Sequence, residues 1–104
     1  MNYKIKIDKD ALLDIQEIIN WYNSELQGLG ARFQKQTVLQ INALKKNPFI
    51  HAIRYDDIRC IVIKRFPFMI HYAVNDKEKT VAIFAVIHTS RNPKIWEVQK
   101  MRNK

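Results

Sequence analysis

The spacing of apolar residues changes at Pro48, and this change constrains the fold more than any other feature of the sequence. Before Pro48 the apolar residues recur every three or four positions, which is the period of an amphipathic helix. After Pro48 they alternate with other residues, which is the period of a β-strand. The pattern therefore predicts a helical first half and a sheet built largely from the second half.

Two helices are predicted, over residues 9–27 and 31–47. Glycines at both ends of segment 28–30 separate them, and Asn47-Pro48 closes the second helix. So short a link predicts an antiparallel helical hairpin. The residues expected to face the core share the helical spacing: Ala11, Leu12, Ile15, Ile18, Ile19, Tyr22 and Leu26 in the first helix, and Phe33, Thr37, Ile41 and Leu44 in the second.

Four strands are predicted, over residues 3–7, 58–66, 68–75 and 80–87, with a polar hairpin loop at 75–79. The order β-α-α-β-β-β, within one domain spanning residues 1–104, indicates an α+β fold in which the helical hairpin covers one face of a mainly antiparallel sheet. Function is then expected on the face that the helices leave free and at the strand ends. From Pro93 a short helix or an extended tail is expected, with Trp96 available for packing.

The net charge of +8 is unevenly distributed along the chain. Residues 1–52 carry seven Lys/Arg against five Asp/Glu, or +2, whereas residues 53–104 carry eleven against five, or +6. A basic surface of this kind favours a polyanion or an acidic protein as partner. Solubility alone is the alternative explanation of the charge.

Several classes of protein are disfavoured by the sequence. Cys60 is the only cysteine, which excludes a disulfide within the chain, and the three histidines have no zinc-binding spacing, so no metal or cofactor is expected. Cys60 itself is interpreted as a small buried hydrophobe, with a reactive thiol as the alternative. The N-terminus lacks the apolar core of a signal peptide, and the apolar run at 81–87 is too short to cross a bilayer. A cytoplasmic protein that does not enter a membrane is therefore expected.

The residues best suited to chemistry follow the most apolar strand, in the segment HTSRNPKIW at 88–96. Cleavage of RNA by its own 2′-hydroxyl needs a base, an acid and cations that stabilise the charge on phosphorus. His88 could act as acid or base, and His71 is a second titratable candidate. The arginines that could hold phosphate are Arg54, Arg59, Arg65 and Arg91.

Each of these residues also has a structural interpretation. His71 lies in the middle of an apolar strand, where a buried, hydrogen-bonded histidine is favoured over a functional one. Arg59 and Arg65 would serve equally on a solvated sheet face or against an acidic partner. Trp96 belongs more often to a core than to a base-stacking surface.

The chain as a whole resembles the RelE/ParE superfamily of toxins from bacterial type II toxin–antitoxin systems, especially its ParE-type branch. The matching segments keep the family order and cover nearly the full length: ALLDIQEIINWY, GLGARF, LKKNPF, RYDDIRCIVIKRFPFMIHY and AVIHTSRNP. The resemblance implies a growth-inhibiting toxin with this fold. It also implies a small cognate antitoxin, encoded beside the toxin, that wraps around it to form a hetero-oligomer.

The resemblance implies two alternative targets. ParE-type toxins act on DNA gyrase, whereas RelE-type toxins cut mRNA on the ribosome with Arg and Lys residues on the sheet and usually a Tyr or His near the C-terminus. Arg65 and Arg91 fall at positions comparable with the nuclease arginines, and His88 ends the last strand. Lys64 is the only lysine beside Arg65, however, and Trp96 stands where a nuclease often has a tyrosine, although indole cannot supply a phenolic proton.

We therefore predict a toxin that binds and poisons DNA gyrase without chemistry of its own. The first alternative is a ribosome-dependent mRNA endonuclease that uses His88, Arg65 and Arg91. The second is a basic interaction domain that lacks toxicity. The residues predicted to contact the target or nucleic acid are Arg54, Arg59, Lys64, Arg65, His71, His88, Arg91 and Trp96.

Overall fold

The computed structural model describes residues 2–91, which form two helices and five strands. The elements in chain order are β1 (Lys4–Ile7), α1 (Lys9–Glu25), α2 (Leu29–Ala43), β2 (Ile53–Tyr55), β3 (Ile58–Val62), β4 (Phe68–Asn75) and β5 (Thr80–His88). The predicted order is confirmed, with β2 as an additional short strand. None of the helices in this part of the chain has the length and apolar character needed to span a membrane.

The five strands form one mixed sheet in the order β1-β5-β4-β3-β2. The strands from β2 to β5 pair antiparallel with their neighbours, as tight hairpins dictate, whereas β1 pairs parallel with β5. In the sequence, the two helices lie between β1 and β2. In the fold they pack on one face of the sheet, mainly through contact of α1 with β5. The predicted α+β class with a mainly antiparallel sheet is confirmed.

The link between the helices has the predicted length of three residues but lies two residues earlier in the sequence. α1 ends at Glu25, and α2 begins at Leu29 rather than at residue 31. Gly28 makes this possible, because its φ of 90° lies in the left-handed region that glycine adopts without strain. Gly30 then sits inside α2, where its backbone N–H donates a hydrogen bond of 2.8 Å to Oδ1 of Asn23. The two helices therefore meet closely at their connection.

The core beneath the helices confirms the prediction for α2 and corrects it for α1. All four predicted positions near or in α2 are buried: Phe33, Thr37, Ile41 and Leu44. On α1, however, Leu12 is 52% exposed and Leu26 is 60% exposed, so placing them in the core was wrong. Leu26 follows the helix in extended conformation. Leu12 lies at the edge of the apolar stripe of α1. The sheet covers only the centre of this stripe, where the buried residues are Ala11, Ile18, Ile19 and Tyr22.

The sheet face opposite the helices is not the open functional surface that the sequence predicts. It carries a second buried apolar cluster, formed by Ile58, Cys60, Met69, Ala85 and Ile87. The alternation along β3 explains this result, because Ile61 faces the helices while Ile58 and Cys60 face the other way. Exposed candidate residues therefore lie at strand ends, in turns and on the helices rather than on this sheet face.

The third strand is also shorter than predicted, since it ends at Val62 rather than at residue 66. Arg65 has a φ of 74°, in the left-handed region that a side chain with a Cβ rarely adopts. The backbone of residues 63–67 consequently leaves the ladder and turns before β4 begins. This turn determines where Lys64 and Arg65 point.

Candidate functional site

His88 is the last residue of β5, and its imidazole ring contacts Phe68 and Ser90. In the β4–β5 ladder it lies opposite Phe68, and the two rings meet edge to face with centroids 5.1 Å apart. Its Nδ1 accepts hydrogen bonds from the backbone N–H of Ser90, at 3.1 Å, and from the Ser90 hydroxyl, at 2.8 Å. An Nδ1 that accepts these bonds carries no proton, so the imidazole proton lies on Nε2.

Backbone hydrogen bonds hold residues 89–91, which follow β5, in place. The backbone N–H of Thr89 donates to the carbonyl of Pro67, at 2.9 Å, and the N–H of Arg91 donates to the carbonyl of His88, at 3.1 Å. The second bond closes a four-residue turn. These two bonds fix the start of the Arg91 side chain relative to His88 and to the β3–β4 connection.

His88 and Arg91 line an open groove of about 520 Å³, which we call the His88 groove. Its lining consists of Trp21, Tyr22, Pro67, Phe68, His88, Ser90 and Arg91. Trp21 is 55% exposed and packs edge to face on Tyr22, with ring centroids 5.0 Å apart. Among residues 2–91, the lining of the groove therefore combines an aromatic wall with several neutral hydrogen-bond donors and one cation. Such a lining suits a flat or apolar group that carries a negative charge beside it.

Arg65 does not join His88 and Arg91. It lines a second groove of about 490 Å³ beside α2, together with Lys64 and two cations of the helix, Arg32 and Lys35. We call this the α2 groove. The three residues predicted for phosphate chemistry are thus divided between two grooves. Arg91 is the cation on the lining of the His88 groove.

The side chain of Arg59 contacts the segment that precedes β2. Its guanidinium donates to the carbonyl of His51, at 2.6 Å, and lies 5.1 Å from the ring centroid of Phe49. These contacts hold the segment before β2 against β3, which is a structural role. Arg54, on β2, is exposed, and its charge helps to lower the pKa of His71.

His71 lies inside the fold, where the structural interpretation had placed it. It pairs with Cys60 across β3 and β4, and its Nδ1 lies 3.4 Å from the Cys60 sulfur and 3.1 Å from the Tyr55 hydroxyl. Burial, aided by Arg54, lowers the pKa of His71 to about 4, and burial raises the pKa of the Cys60 thiol to about 11. Both groups are therefore neutral at pH 7, so Cys60 is not a thiolate nucleophile.

The sequence prediction missed Trp21, Arg32 and Lys35, which line the two grooves. Trp21 lies just outside the apolar stripe of α1, which was the only sign in the sequence that it faces solvent. Trp96 and the tail from Pro93 lie outside the described residues. Within residues 2–91, no group of three or more His, Cys, Asp or Glu side chains could hold a metal ion.

Comparison with known structures shows the same fold in toxins of type II systems. A chain described as the chromosomal ParDE system of P. aeruginosa has a TM-score of 0.74 at 18% identity, covering 85% of this chain and 97% of that one. A mutant of E. coli toxin RelE in the free state has a TM-score of 0.72 at 18% identity, covering 98% of each chain. The intact E. coli RelBE toxin–antitoxin complex has a TM-score of 0.66 at 20% identity, covering 86% and 99%.

Sequence comparison identifies the family directly. No curated protein sequence matches the chain. The family model described as ParE toxin of type II toxin–antitoxin system, parDE, matches residues 5–93. That match contains the helical hairpin, the sheet except for Lys4 at the start of β1, and both grooves up to Arg91. The chain therefore belongs to the ParE toxin family of type II toxin–antitoxin systems.

Proposed function

We propose that this toxin inhibits growth by binding and poisoning DNA gyrase, with the His88 groove as its main contact surface. The observation that carries the proposal is the separation of Arg65 from His88 and Arg91. An RNA-cleaving site needs several cations around one phosphate, whereas among residues 2–91 the lining of the His88 groove offers Arg91 alone. An aromatic cleft with a single arginine is typical of a protein-binding hot spot.

The hydrogen bonds of His88 support the same proposal. Its Nδ1 is occupied by Ser90, so that nitrogen is not available to take a proton from an attacking hydroxyl. Nε2–H remains as a hydrogen-bond donor on a residue that lines the groove, which is a property that a binding site can use. Because gyrase works on DNA in the cytoplasm, the proposal also places the toxin in that compartment.

Supercoiling by purified gyrase in the presence of the full-length toxin tests the proposal. We expect inhibition together with accumulation of gyrase–DNA cleavage complexes, and intact transcripts on translating ribosomes. Trp21→Ala and Arg91→Ala should each weaken inhibition by about tenfold or more, which is the usual loss for a hot-spot side chain. Lys77→Ala removes an equal charge from the β4–β5 loop, at the other end of both strands, and should leave inhibition unchanged.

RNA cleavage is the second candidate function, because His88 and Arg91 line the same groove. In that mechanism His88 would donate a proton to the leaving 5′-oxygen while Arg91 held the phosphate. Transcripts that are cleaved by the wild type, and spared by Arg91→Ala and His88→Ala, would replace the gyrase proposal with this one. Normal growth with neither activity would indicate an interaction domain without toxicity.

A further inference from the structure

The two helices carry opposite net charge. α1 contains four Asp or Glu residues against one lysine, whereas α2 contains one arginine, one lysine and no Asp or Glu. Glu17 of α1 and Lys35 of α2 are both exposed. Within residues 2–91 neither of them forms an ion pair. The outer side of the helical hairpin therefore presents charges of opposite sign, one on each helix, that are available to a partner.

Each of these charges shares its side of the helix with an exposed leucine. Leu13 lies four positions before Glu17 and is 51% exposed, and Leu39 lies four positions after Lys35 and is 62% exposed. Side chains four positions apart point to the same side of a helix. None of the four residues lines the His88 groove. Both helices thus present an apolar and a charged side chain in one row, as surfaces that bind another protein do.

The contact between Asn23 and Gly30 sets the register of the two helices. The backbone N–H of Gly30 donates to the side chain of Asn23, at 2.8 Å, near the closed end of the hairpin. From this contact the helices run in opposite directions and remain packed on each other. Glu17 lies six positions before Asn23, and Lys35 lies five positions after Gly30. The two charged residues are therefore nearly level along the hairpin, and by the same count so are the two leucines.

A second copy of the chain complements this arrangement when it is rotated by half a turn about an axis parallel to the helices. This rotation keeps the level of every residue and exchanges the two sides of the hairpin, so that α1 of one copy lies on α2 of the other. Glu17 then meets Lys35 of the second copy, and Leu13 meets its Leu39. Each contact occurs twice, as in any twofold interface. The face is therefore complementary to itself in charge and in the position of its leucines.

We propose that the free toxin forms a twofold dimer through the outer faces of its helical hairpins. The helices have 17 and 15 residues, which makes them about 25 and 22 Å long. Two such helices side by side offer roughly 450 Å² per copy, or about 900 Å² in total. That area is at the low end for a specific interface, so we expect a weak dimer that forms at micromolar concentrations. The proposal does not rest on gyrase binding.

Sedimentation velocity of the full-length toxin tests the proposal, over about 1 to 300 μM to cover the range of a weak dimer. The salt concentration should be about 0.15 M, because the Debye length is then about 8 Å and the repulsion between two chains of net charge +8 is largely screened. We expect the average mass to rise from that of the monomer toward that of the dimer as the concentration increases.

Reversal of one charge should weaken the dimer. Glu17→Lys and Lys35→Glu should each weaken it by about tenfold or more, because each substitution creates two pairs of like charges in the interface. Glu78→Lys and Lys77→Glu change the net charge by the same amounts at exposed positions of the β4–β5 loop. These matched controls should dimerise within about twofold of the wild type.

An equimolar mixture of Glu17→Lys and Lys35→Glu is the most direct test of the pairing. In a dimer of one copy of each variant, both pairs contain opposite charges again, so the mixture should recover dimers that neither variant forms alone at the same total concentration. The chain that carries both substitutions should also dimerise. An ion pair within one chain would be restored in the double variant only, so recovery in the mixture is specific for contact between two copies.

The leucines provide a test that does not involve charge. Leu13→Ser should weaken the dimer by about tenfold, because an apolar contact is lost twice. Ile50→Ser removes an apolar side chain of similar exposure from the segment before β2 and should have an effect of less than about twofold. Circular dichroism of each variant checks that it is folded.

Three results would overturn the proposal. The first is a wild-type toxin that remains monomeric over the whole concentration range. The second is a dimer that folded Glu17→Lys, Lys35→Glu and Leu13→Ser proteins form as readily as the wild type, which would place the interface elsewhere. The third is a mixture of the two charge variants that dimerises no better than either one alone.

Discussion

The two faces of the sheet bury their side chains by different physical means. The face under the helices is apolar and aromatic, with Tyr22 and Phe33 packed on Phe66 and Phe68 at centroid separations of 5.2 to 6.1 Å. The opposite face has a smaller apolar cluster, next to which Tyr55, Cys60 and His71 form a polar group inside the fold. Among the described residues, only this second face contains a fully buried titratable base, which is His71.

Because of this difference, we expect the stability of the two faces to depend differently on pH. Aromatic packing depends on shape and area, so its contribution to stability should vary little with pH. A histidine that is buried in the neutral state couples folding to proton binding. The side chains proposed for function belong to neither interior, because they line a groove at the surface of the fold.

Phe33→Ala should cause the largest loss of stability. Phe33 is fully buried and contacts three aromatic rings, and truncation of such a residue costs about 3–5 kcal/mol. The loss should be the same at pH 5 and pH 7.5, as measured by urea denaturation followed by circular dichroism. Val38→Ala, an exposed position on the same helix, should cost less than about 0.5 kcal/mol. If the loss of unfolding free energy in Phe33→Ala depended strongly on pH, the two faces would not differ in the way proposed.

Acidification should destabilise the protein through His71. The pKa of His71 is about 4 in the folded state, below the ordinary 6.5, so the unfolded chain takes up the proton first. The contribution of neutral His71 is therefore complete above pH 6.5 and is lost as the pH falls toward 4. The whole difference corresponds to about 3 kcal/mol, since each tenfold change in proton affinity is worth about 1.4 kcal/mol.

His71→Gln is the variant that isolates this effect, because glutamine is polar but does not titrate. Between pH 6.5 and 4 its unfolding free energy should fall by clearly less than that of the wild type. The remaining fall is expected because burial also lowers the pKa of His51. His88→Gln removes a histidine at the partly exposed end of β5 and should leave the pH dependence in place. Retention of the full acid sensitivity in His71→Gln would assign the effect to another group.

Gly30→Ala should destabilise the helix-covered side by about 2 kcal/mol, as expected for overpacking. An added Cβ would lie 2.4 Å from the backbone carbonyl oxygen of Ile19 and 2.7 Å from the side chain of Asn23. The carbonyl belongs to α1 and cannot move without shifting the helix. Gln34→Ala, at an exposed position of α2, serves as the control and should be neutral. A stabilised Gly30→Ala protein would show that the hairpin is loosely packed there.

Gln40→Ala should have the smallest effect on stability, about 1–2 kcal/mol, because it removes hydrogen bonds to Val62 and Lys64 at a partly exposed site. The loss should be insensitive to pH, as for the rest of the helix-covered side. Hydrogen exchange should show faster exchange at the N–H of Lys64 without a change at β5. Unchanged exchange at Lys64 would show that the β3–β4 turn is held by other contacts.

Sequence pattern predicted the helical hairpin well and the edges of its core poorly. The positions Phe33, Thr37 and Ile41 are buried as predicted, because a regular spacing in a helix places them on one line. Leu12 and Leu26 are exposed, because an apolar stripe does not indicate which part of it the sheet covers. The additional strand β2 has only three residues, which is too short for a period-two pattern to reveal.

The candidate site was predictable only in part. His88 and Arg91 were found because polar residues at the end of an apolar strand stand out in the sequence. Their neighbour Trp21 lies far away in the chain and reaches the groove only through the packing of α1 on the sheet. Arg65 was placed with them, yet the left-handed backbone at this residue directs the turn toward α2.

The class of fold, the helical hairpin and the basic charge could be predicted from the sequence, because these follow from local periodicity and composition. Which cations share a groove depends on the three-dimensional packing of the chain, and so does the burial of His71. Those properties depend on contacts between residues that are distant in the chain, such as Gln40 with the β3–β4 turn. A contact of that kind depends on the path of the whole backbone, which no local pattern encodes.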